Sequence, residues 1–170
     1  MESSPADSNA RANSDLIDRF YRAFANLDGA TMAACYAADA EFQDEVFTLH
    51  GRDEIAAMWN MLCTATRDKG MADWSLDYSG VQADGTTGRA HWEAHYRFSA
   101  TGRLVHNRID AQFTFADGLI SSHRDRFDFR AWSRQALGAP GWLLGWSPMF
   151  RRKVAARAAS NLTAFRSRAA

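Results

Sequence analysis

Apolar residues recur at helical spacing through the first part of the chain and at strand spacing through its middle. In the first part they return every three or four positions, the period of a helix with one buried face. Three helices are predicted there, over residues 15–27, 30–37 and 53–67. Ser14 is suited to cap the first helix, and the polar residues 1–13 before it are predicted to be disordered. A short strand over residues 41–46 separates the second helix from the third.

Farther along the chain, apolar and polar residues alternate. Four strands are predicted, over residues 74–81, 89–99, 104–115 and 119–129. Asp-Gly or Thr-Gly pairs separate the later strands, which is typical of antiparallel hairpins. Helices followed by antiparallel strands indicate an α+β domain, here residues 14–138. Residues 139–170 are predicted to be an apolar segment and a basic helix that packs on this domain or on a partner subunit.

The direction of the last strand decides which polar side chains are enclosed. One register buries the set Ile120, Ser122, Arg124, Arg126 and Asp128, which includes two arginines. The other buries the set His123, Asp125, Phe127 and Phe129. We favour the second, because two phenylalanines gain apolar burial while both arginines stay in water. On the preceding strand, Asn107 is expected inside with the apolar set Ile109, Ala111, Phe113 and Phe115.

Composition places the chain among globular domains. It has 170 residues, of which 46% are hydrophobic and 24% charged. This is enough apolar surface for one core that needs no disulfide or structural metal. Two cysteines form no Cys-x-x-Cys pair, which favours a reducing, cytoplasmic setting. Residues 1–14 lack the apolar run of a signal peptide, and the apolar stretch around 142–146 is too short to span a bilayer.

Charge is balanced overall but unevenly distributed. The chain has 20 basic and 20 acidic residues, and Asp128 is its last acidic residue. Beyond it stand Arg130, Arg134, Arg151, Arg152, Lys153, Arg157, Arg166 and Arg168. Such a tail can contact nucleic acid or a membrane, or pack on its own acidic body or a partner subunit. We expect the packing role, with no nucleic-acid partner and no stable membrane association.

Two segments carry a family resemblance that covers residues 15–137. They are Tyr36-Ala37-Ala38-Asp39-Ala40-Glu41-Phe42-Gln43-Asp44 with Gly51-Arg52-Asp53-Glu54-Ile55, and Phe115-Ala116-Asp117-Gly118-Leu119-Ile120 with His123-Arg124-Asp125-Arg126-Phe127-Asp128. The chain resembles the nuclear transport factor 2-like superfamily, in particular its SnoaL-like group of polyketide cyclases and ketosteroid isomerase-like proteins. The resemblance implies a cone-shaped, strongly curved antiparallel sheet wrapped around N-terminal helices, here with an extra C-terminal helix.

The resemblance also implies roles for individual residues. Asp44 matches the catalytic aspartate of the steroid isomerases, but Phe20 and Ala111 stand where those enzymes have oxyanion donors, with Tyr21 adjacent to the first. Asp125 matches the last-strand aspartate of limonene-epoxide-hydrolase-like enzymes, without their full Asp-Arg-Asp set. In the polyketide cyclases an aspartate is the acid/base, a role that Asp125 or Asp44 could take.

His123 and Asp125 form the best candidate centre, since they stand two apart on one side of a strand. They are predicted to be an acid/base pair, the alternative being a satisfied polar cluster. Asp44 is a second base or a carboxylate that caps a turn. The predicted substrate-binding residues are Asn107, Tyr96, Trp92, Tyr21, Phe20, Trp59 and Phe113. No metal or cofactor is expected, because His91 and His95 are about 13 Å apart along a strand.

Three functions remain open at this point. The first is a cofactor-free isomerase, cyclase, dehydratase or hydrolase that acts on a small apolar molecule. The second is a non-catalytic ligand-binding or assembly module, dimeric through the outer face of the sheet. The third is a peripheral membrane or nucleic-acid binder that acts through the basic C-terminal helix.

Overall fold

The computed structural model describes residues 5–169 as one α+β fold. Its elements, in chain order, are α1 (Pro5–Ala25), α2 (Gly29–Ala34), β1 (Tyr36–Gln43), β2 (Thr48–His50), α3 (Arg52–Asp68), a 3₁₀ turn (Met71–Asp73), β3 (Ser75–Ala83), β4 (Thr87–Arg97), β5 (Leu104–Ala116), β6 (Leu119–Arg126), α4 (Phe129–Leu137), α5 (Ala139–Leu144) and α6 (Pro148–Ala169). The order of helices followed by a β-meander is the predicted one, and the α+β fold class is confirmed.

The six strands form one curved sheet in the order β2-β1-β6-β5-β4-β3. Neighbouring strands are antiparallel except β1 and β6, which pair in parallel, with Phe42 opposite His123. This parallel pair is an addition to the predicted antiparallel sheet. It arises because β1 precedes the meander and joins it at the far side, next to the last strand. The candidate residues of β6 therefore lie in the interior of the sheet, between β1 and β5.

Helix α1 lies in the concavity of the sheet and starts earlier than predicted. Its residues Ile17, Phe20 and Tyr21 are fully buried. The helix begins at Pro5, so the predicted disorder is wrong for residues 5–13, while residues 1–4 lie outside the described residues. Asn13 explains part of the difference, since its buried amide donates to the Asp84 carbonyl at 2.8 Å and fixes the extension to the turn between β3 and β4.

The register of β6 is the favoured one. His123 and Asp125 are 1% and 3% exposed, whereas Arg124 and Arg126 are exposed. Ile120 is buried as well, because a β-bulge in the pairing with β5 inserts one extra residue before His123. The bulge explains why simple alternation left two registers open.

The C-terminal helices pack on their own chain. Helix α4 covers β5 through a second apolar cluster made of Val105, Phe129, Trp132 and Ala136. Helix α6 lies along α3, with Leu162 buried in the main core. Two ion pairs fasten it to the domain, Arg151 to Glu45 at 2.8 Å and Arg166 to Glu54 at 3.5 Å. Among residues 5–169, none of the helices has the length and apolar character needed to cross a membrane.

Candidate active site

A buried histidine–aspartate pair lies at the centre of the concave face. His123 Nε2 is 2.9 Å from Asp125 Oδ1, and both side chains are almost fully enclosed. They stand on the same side of β6, directly opposite Phe113 and Ala111 of β5. The predicted pairing of these two residues is therefore present in the geometry.

Tyr36 extends this pair into a chain of hydrogen bonds. Its hydroxyl lies 2.7 Å from His123 Nδ1 and accepts a bond from Trp59 Nε1 at 3.1 Å. Sequence reasoning missed Tyr36, because this residue falls within the second predicted helix, over residues 30–37. In the structure Tyr36 is the first residue of β1, and its parallel pairing with β6 brings it beside the histidine.

The hydrogen-bond chain favours one tautomer of His123. The indole of Trp59 can only donate, so the Tyr36 oxygen accepts this bond and has its own proton free for His123 Nδ1. Burial raises the pKa of Tyr36 well above its usual value, although the bond from Trp59 opposes the effect, so the hydroxyl keeps its proton. Nδ1 is then an acceptor, and the proton on Nε2 is donated to Asp125.

Aromatic rings enclose the imidazole. Ring centroids lie 4.4 Å from His123 for Phe113, 5.1 Å for Phe42, 5.5 Å for Phe20 and 6.2 Å for Trp59. Three of these residues, Phe20, Trp59 and Phe113, belong to the predicted binding set. Since the rings exclude water, the hydrogen bonds within the pair are stronger than they would be at the surface.

Asp125 and Tyr21 have unused hydrogen-bonding capacity. Within residues 5–169 both hydrogen bonds to Asp125 end on Oδ1, from His123 and, at 3.4 Å, from Trp92 Nε1. The Tyr21 hydroxyl is buried and has no hydrogen-bond partner in the described part of the chain. Burial raises the pKa of Tyr21 well above its usual value, and the charge of Asp125 adds to the effect. Both residues also lie against Trp92, which contacts Asp125 through its indole N–H and Tyr21 through its ring.

Asp44 follows β1 and caps a turn. Its Oδ1 accepts bonds from the backbone N–H groups of Val46 at 2.7 Å and Phe47 at 2.6 Å. Burial raises the pKa of Asp44 to about 7 against the opposing effect of these two bonds, and the charges of Asp125 and Glu45 raise it further. Asp44 therefore caps the turn, which is one of the two roles considered for it, and its carboxyl group titrates near neutral pH.

Tyr96 and Asn107 lie toward the other end of the sheet from His123 and Asp125. The Tyr96 hydroxyl accepts a bond from Trp132 Nε1 of α4 at 2.9 Å, and burial raises its pKa to about 12. Asn107 pairs with Ala94 and lies about 13 Å along β5 from the position opposite Asp125. The predicted binding set is therefore divided between two places. The members at His123 and Asp125 are Phe20, Tyr21, Trp59, Trp92 and Phe113.

The polar residues of the outer face form their own network. His91 contacts Asp110 at 2.8 Å and Glu93 at 3.2 Å, and His106 contacts Glu93 at 2.6 Å. Hydrogen bonds from both histidines lower the pKa of Glu93 to about 2. Within residues 5–169, no three His, Cys, Asp or Glu side chains lie close enough together to hold a metal ion.

Two depressions of the surface lie on the outside of the fold, away from the enclosed His123 and Asp125 side chains. The larger, about 430 Å³, lies on the outside of α1 and α2 and is lined by Asp15, Asp18, Arg19, Arg22, Ala23, Asn26, Asp28 and Thr31. A smaller one, about 50 Å³, lies among exposed residues of β1, β2 and β6, including Glu41, His50 and Arg124, and has room for little more than water. In this conformation His123 and Asp125 are enclosed by their own chain.

The fold and this enclosed face agree with a known family. Residues 17–123 match the model of the SnoaL-like domain, and the chain belongs to that family. The match includes His123 and ends two residues before Asp125. A search of curated proteins finds no significant relative of this sequence.

Several solved structures share the fold at low sequence identity. A candidate SnoaL-like polyketide cyclase of Jannaschia sp. CCS1 superposes with a TM-score of 0.64 at 14% identity, over 82% of this chain and 99% of that one. An LEH-like epoxide hydrolase of M. tuberculosis gives 0.58 at 17% identity, over 75% and 91%. A candidate ketosteroid isomerase of Kribbella flavida DSM 17836 gives 0.56 at 15% identity, over 73% and 82%. At these identities the likeness establishes the fold alone.

Replacing Tyr36 with Phe tests the hydrogen-bond chain. We expect a loss of about 1–3 kcal/mol in the free energy of unfolding, because Trp59 and His123 each lose a buried partner. The matched control is Tyr78→Phe, at a partly exposed tyrosine of β3, with an expected change within about 0.5 kcal/mol. Urea unfolding measures both. Nitrogen-15 NMR of the imidazole, assigned with His123→Gln, should report the Nε2–H tautomer, and a doubly protonated ring at pH 7 would contradict the assignment.

Asp44 should give the stability of the protein a defined pH dependence. Its folded pKa of about 7 lies above the value of about 3.9 for an unfolded chain. Between these values the folded state binds more protons, so the stability due to this group is complete below about pH 4 and lost as the pH rises through 7.

Urea unfolding from pH 4 to 8 of the wild type and Asp44→Asn measures this effect. The difference in free energy of unfolding, wild type minus variant, should fall with rising pH, with a slope of at most about 1.4 kcal/mol per pH unit for one proton. If the free energies of unfolding of the two proteins change in parallel with pH, the pKa of Asp44 is not raised.

Proposed function

We propose that this protein is a cofactor-free acid/base enzyme that acts on a small, largely apolar molecule, with Asp125 and His123 as its centre. The observation that carries the proposal is the unused hydrogen-bonding capacity inside the core. The Tyr21 hydroxyl is buried and unpaired within residues 5–169, and Asp125, which is 3% exposed, receives both of its hydrogen bonds on Oδ1.

These groups reduce the stability of the fold as it stands. A buried hydroxyl without a partner costs about 1–3 kcal/mol, and phenylalanine at position 21 would fill the same space without that penalty. A third partner, a polar group on a bound molecule, would satisfy both. Perturbed ionisable groups in an apolar setting are typical of sites that move protons.

Each residue has a chemical role in this proposal. Oδ2 of Asp125 takes a proton from the substrate or from water, while the bond to His123 fixes the carboxylate through Oδ1. Tyr21, which keeps its proton because its pKa is well above its usual value, donates to a substrate oxygen that gains negative charge. Trp92 and Phe113 form apolar walls beside them.

The reaction class remains a choice among proton transfers. Isomerisation, cyclisation, dehydration and hydrolysis each need a base or an acid at the reacting atom. Similar structures named as a cyclase, an isomerase and an epoxide hydrolase are consistent with this range. Asp44, which titrates near neutral pH, is the second carboxylate of the proposal.

A non-catalytic ligand-binding or assembly module is the second candidate, and the enclosure favours it. Asp125 is 3% exposed, so a substrate must displace side chains to reach it. A homodimer formed through the outer sheet face, and a reducing, cytoplasmic setting, belong to both candidates. The free thiols of Cys35 and Cys63 are buried, and burial raises the pKa of each to about 11, so neither is a ready nucleophile.

Tyr21→Phe tests the central observation without any substrate. We expect the free energy of unfolding to rise by about 1–2 kcal/mol, because the variant no longer buries an unpaired hydroxyl. Tyr96→Phe is the matched control, and it should lower the free energy by about 1 kcal/mol, since Trp132 then loses its acceptor. Urea unfolding measures both. A less stable Tyr21→Phe protein would mean that the hydroxyl has a partner within the fold, and the proposal would lose its main support.

Asp125→Asn tests the chemistry. Turnover is measured from pH 5 to 9 with two probes, 5-androstene-3,17-dione for isomerisation and styrene oxide for hydrolysis. We expect kcat for any converted probe to fall about 10²–10⁴-fold, the usual contribution of a positioned acid/base. Asp110→Asn, the same change on the exposed outer face of the neighbouring strand, should leave kcat unchanged. Equal turnover by wild type and Asp125→Asn would exclude Asp125 as the acid/base, and tight binding of a probe without turnover would favour the non-catalytic module.

A further inference from the structure

Helix α5 and the turn after it expose a cluster of large apolar side chains. Trp142 is 62% exposed, Leu143 72%, Leu144 47%, Trp146 70% and Met149 66%. All five lie within eight consecutive residues, and we refer to them as the α5 patch. Isolated exposed apolar residues are ordinary, but a group of this size marks a binding surface.

The packing of α5 fixes the orientation of this patch. Gly141 and Gly145 are buried against α4, and a Cβ at Gly141 would lie 1.9 Å from the Ser133 carbonyl oxygen. Only glycine permits this approach, so the glycine side of α5 must face inward and its tryptophan and leucines outward. Arg134 of α4 stacks over the Trp142 ring at 5.0 Å and supports it from below.

The patch lies in the most basic part of the chain. Residues 129–170 contain eight arginines and lysines and no aspartate or glutamate. Arg152 and Lys153 are exposed and follow Met149 by three and four positions, so the three share one side of α6. Arg151 differs, since it is engaged by Glu45 and by the Phe129 ring. Free positive charge therefore adjoins the apolar side chains.

We infer that the α5 patch is a docking surface for an anionic lipid bilayer. Tryptophan and leucine enter the boundary between headgroups and acyl chains, where an indole places its ring in apolar and its N–H in polar surroundings. Arg152 and Lys153 bind lipid phosphates beside them. The attachment is peripheral and reversible, and it is independent of the proposed reaction.

Two other occupants fit the surface less well. A second copy bound through the same patch by a two-fold axis would bring Arg152 and Lys153 of both copies together, and no acidic residue of 129–170 offsets their repulsion. A nucleic acid would use the basic residues and could stack on tryptophan, but it has no apolar surface for Leu143, Leu144 and Met149.

Vesicle flotation of the full chain tests the inference. One set of vesicles is phosphatidylcholine alone, and the other contains about one phosphatidylglycerol in three lipids. We expect binding to the anionic vesicles that weakens at high salt, and little binding to the neutral ones. Reversing both charges in Arg152→Glu/Lys153→Glu should weaken binding at least about 25-fold, from about fivefold per basic residue. Trp142→Ser/Trp146→Ser should weaken it by a similar factor.

Matched controls distinguish binding through this surface from an effect of the net charge of the protein. Arg124→Glu/Arg126→Glu makes the same change in net charge on the outer face of β6 and should leave flotation unchanged, and circular dichroism with thermal unfolding checks the fold of each variant. Absent or equal binding to the two vesicle types would overturn the inference. The inference would also be overturned if vesicles are not bound and light scattering shows a dimer that the Trp142→Ser/Trp146→Ser variant no longer forms. Binding of a 20-base-pair DNA without binding of vesicles would overturn it as well.

Discussion

A carboxylate enclosed by aromatic rings needs a partner, and the imidazole of His123 is the partner of Asp125. The two residues stand on one side of β6, so a single register brings both inside. A shift by one residue would instead enclose Arg124 and Arg126. Two buried guanidinium groups would then face mainly apolar side chains, without enough hydrogen-bond acceptors to compensate their charge. The bulge before His123 allows Ile120 to join the core as well. The position of β6 between β1 and β5 therefore determines what the centre of the fold contains.

The network around this pair is satisfied on one side and incomplete on the other. Toward α3, Trp59, Tyr36 and His123 use their donors and acceptors fully. Toward α1, Tyr21 has no partner in the described residues. A purely structural cluster would be closed on both sides, since each unpaired buried group weakens the fold. The satisfied side holds the histidine rigidly, and the incomplete side is where a bound molecule could be recognised.

Much of this arrangement was predictable from local patterns. Alternation along β4, β5 and β6 predicted the inward faces, and apolar gain against charge burial selected the register of the last strand. The limits were set by tertiary pairing. Tyr36 was assigned to a helix because nothing local indicates that β1 begins there and pairs in parallel with β6. The helical start at Pro5 depends on a contact between Asn13 and the distant Asp84. Tyr96 and Asn107 face inward as expected, but their distance from Asp125 follows from inter-strand register, which alternation does not fix.

The C-terminal segment connects the enclosed site with the exposed surface. Helix α4 donates a hydrogen bond from Trp132 to Tyr96 on its inner side and accommodates Gly141 of α5 on its other side. Because of the close approach at Gly141, α5 has no room to slide on α4. The first inward contact of α4 is the Tyr96 end of the sheet, near Asp44, whose charge contributes to the raised pKa of Tyr96. The aromatic enclosure of His123 is formed by other elements, α1, α3, β1 and β5. The α5 patch is therefore linked to the fold at the Tyr96 end and has no such link to His123 and Asp125.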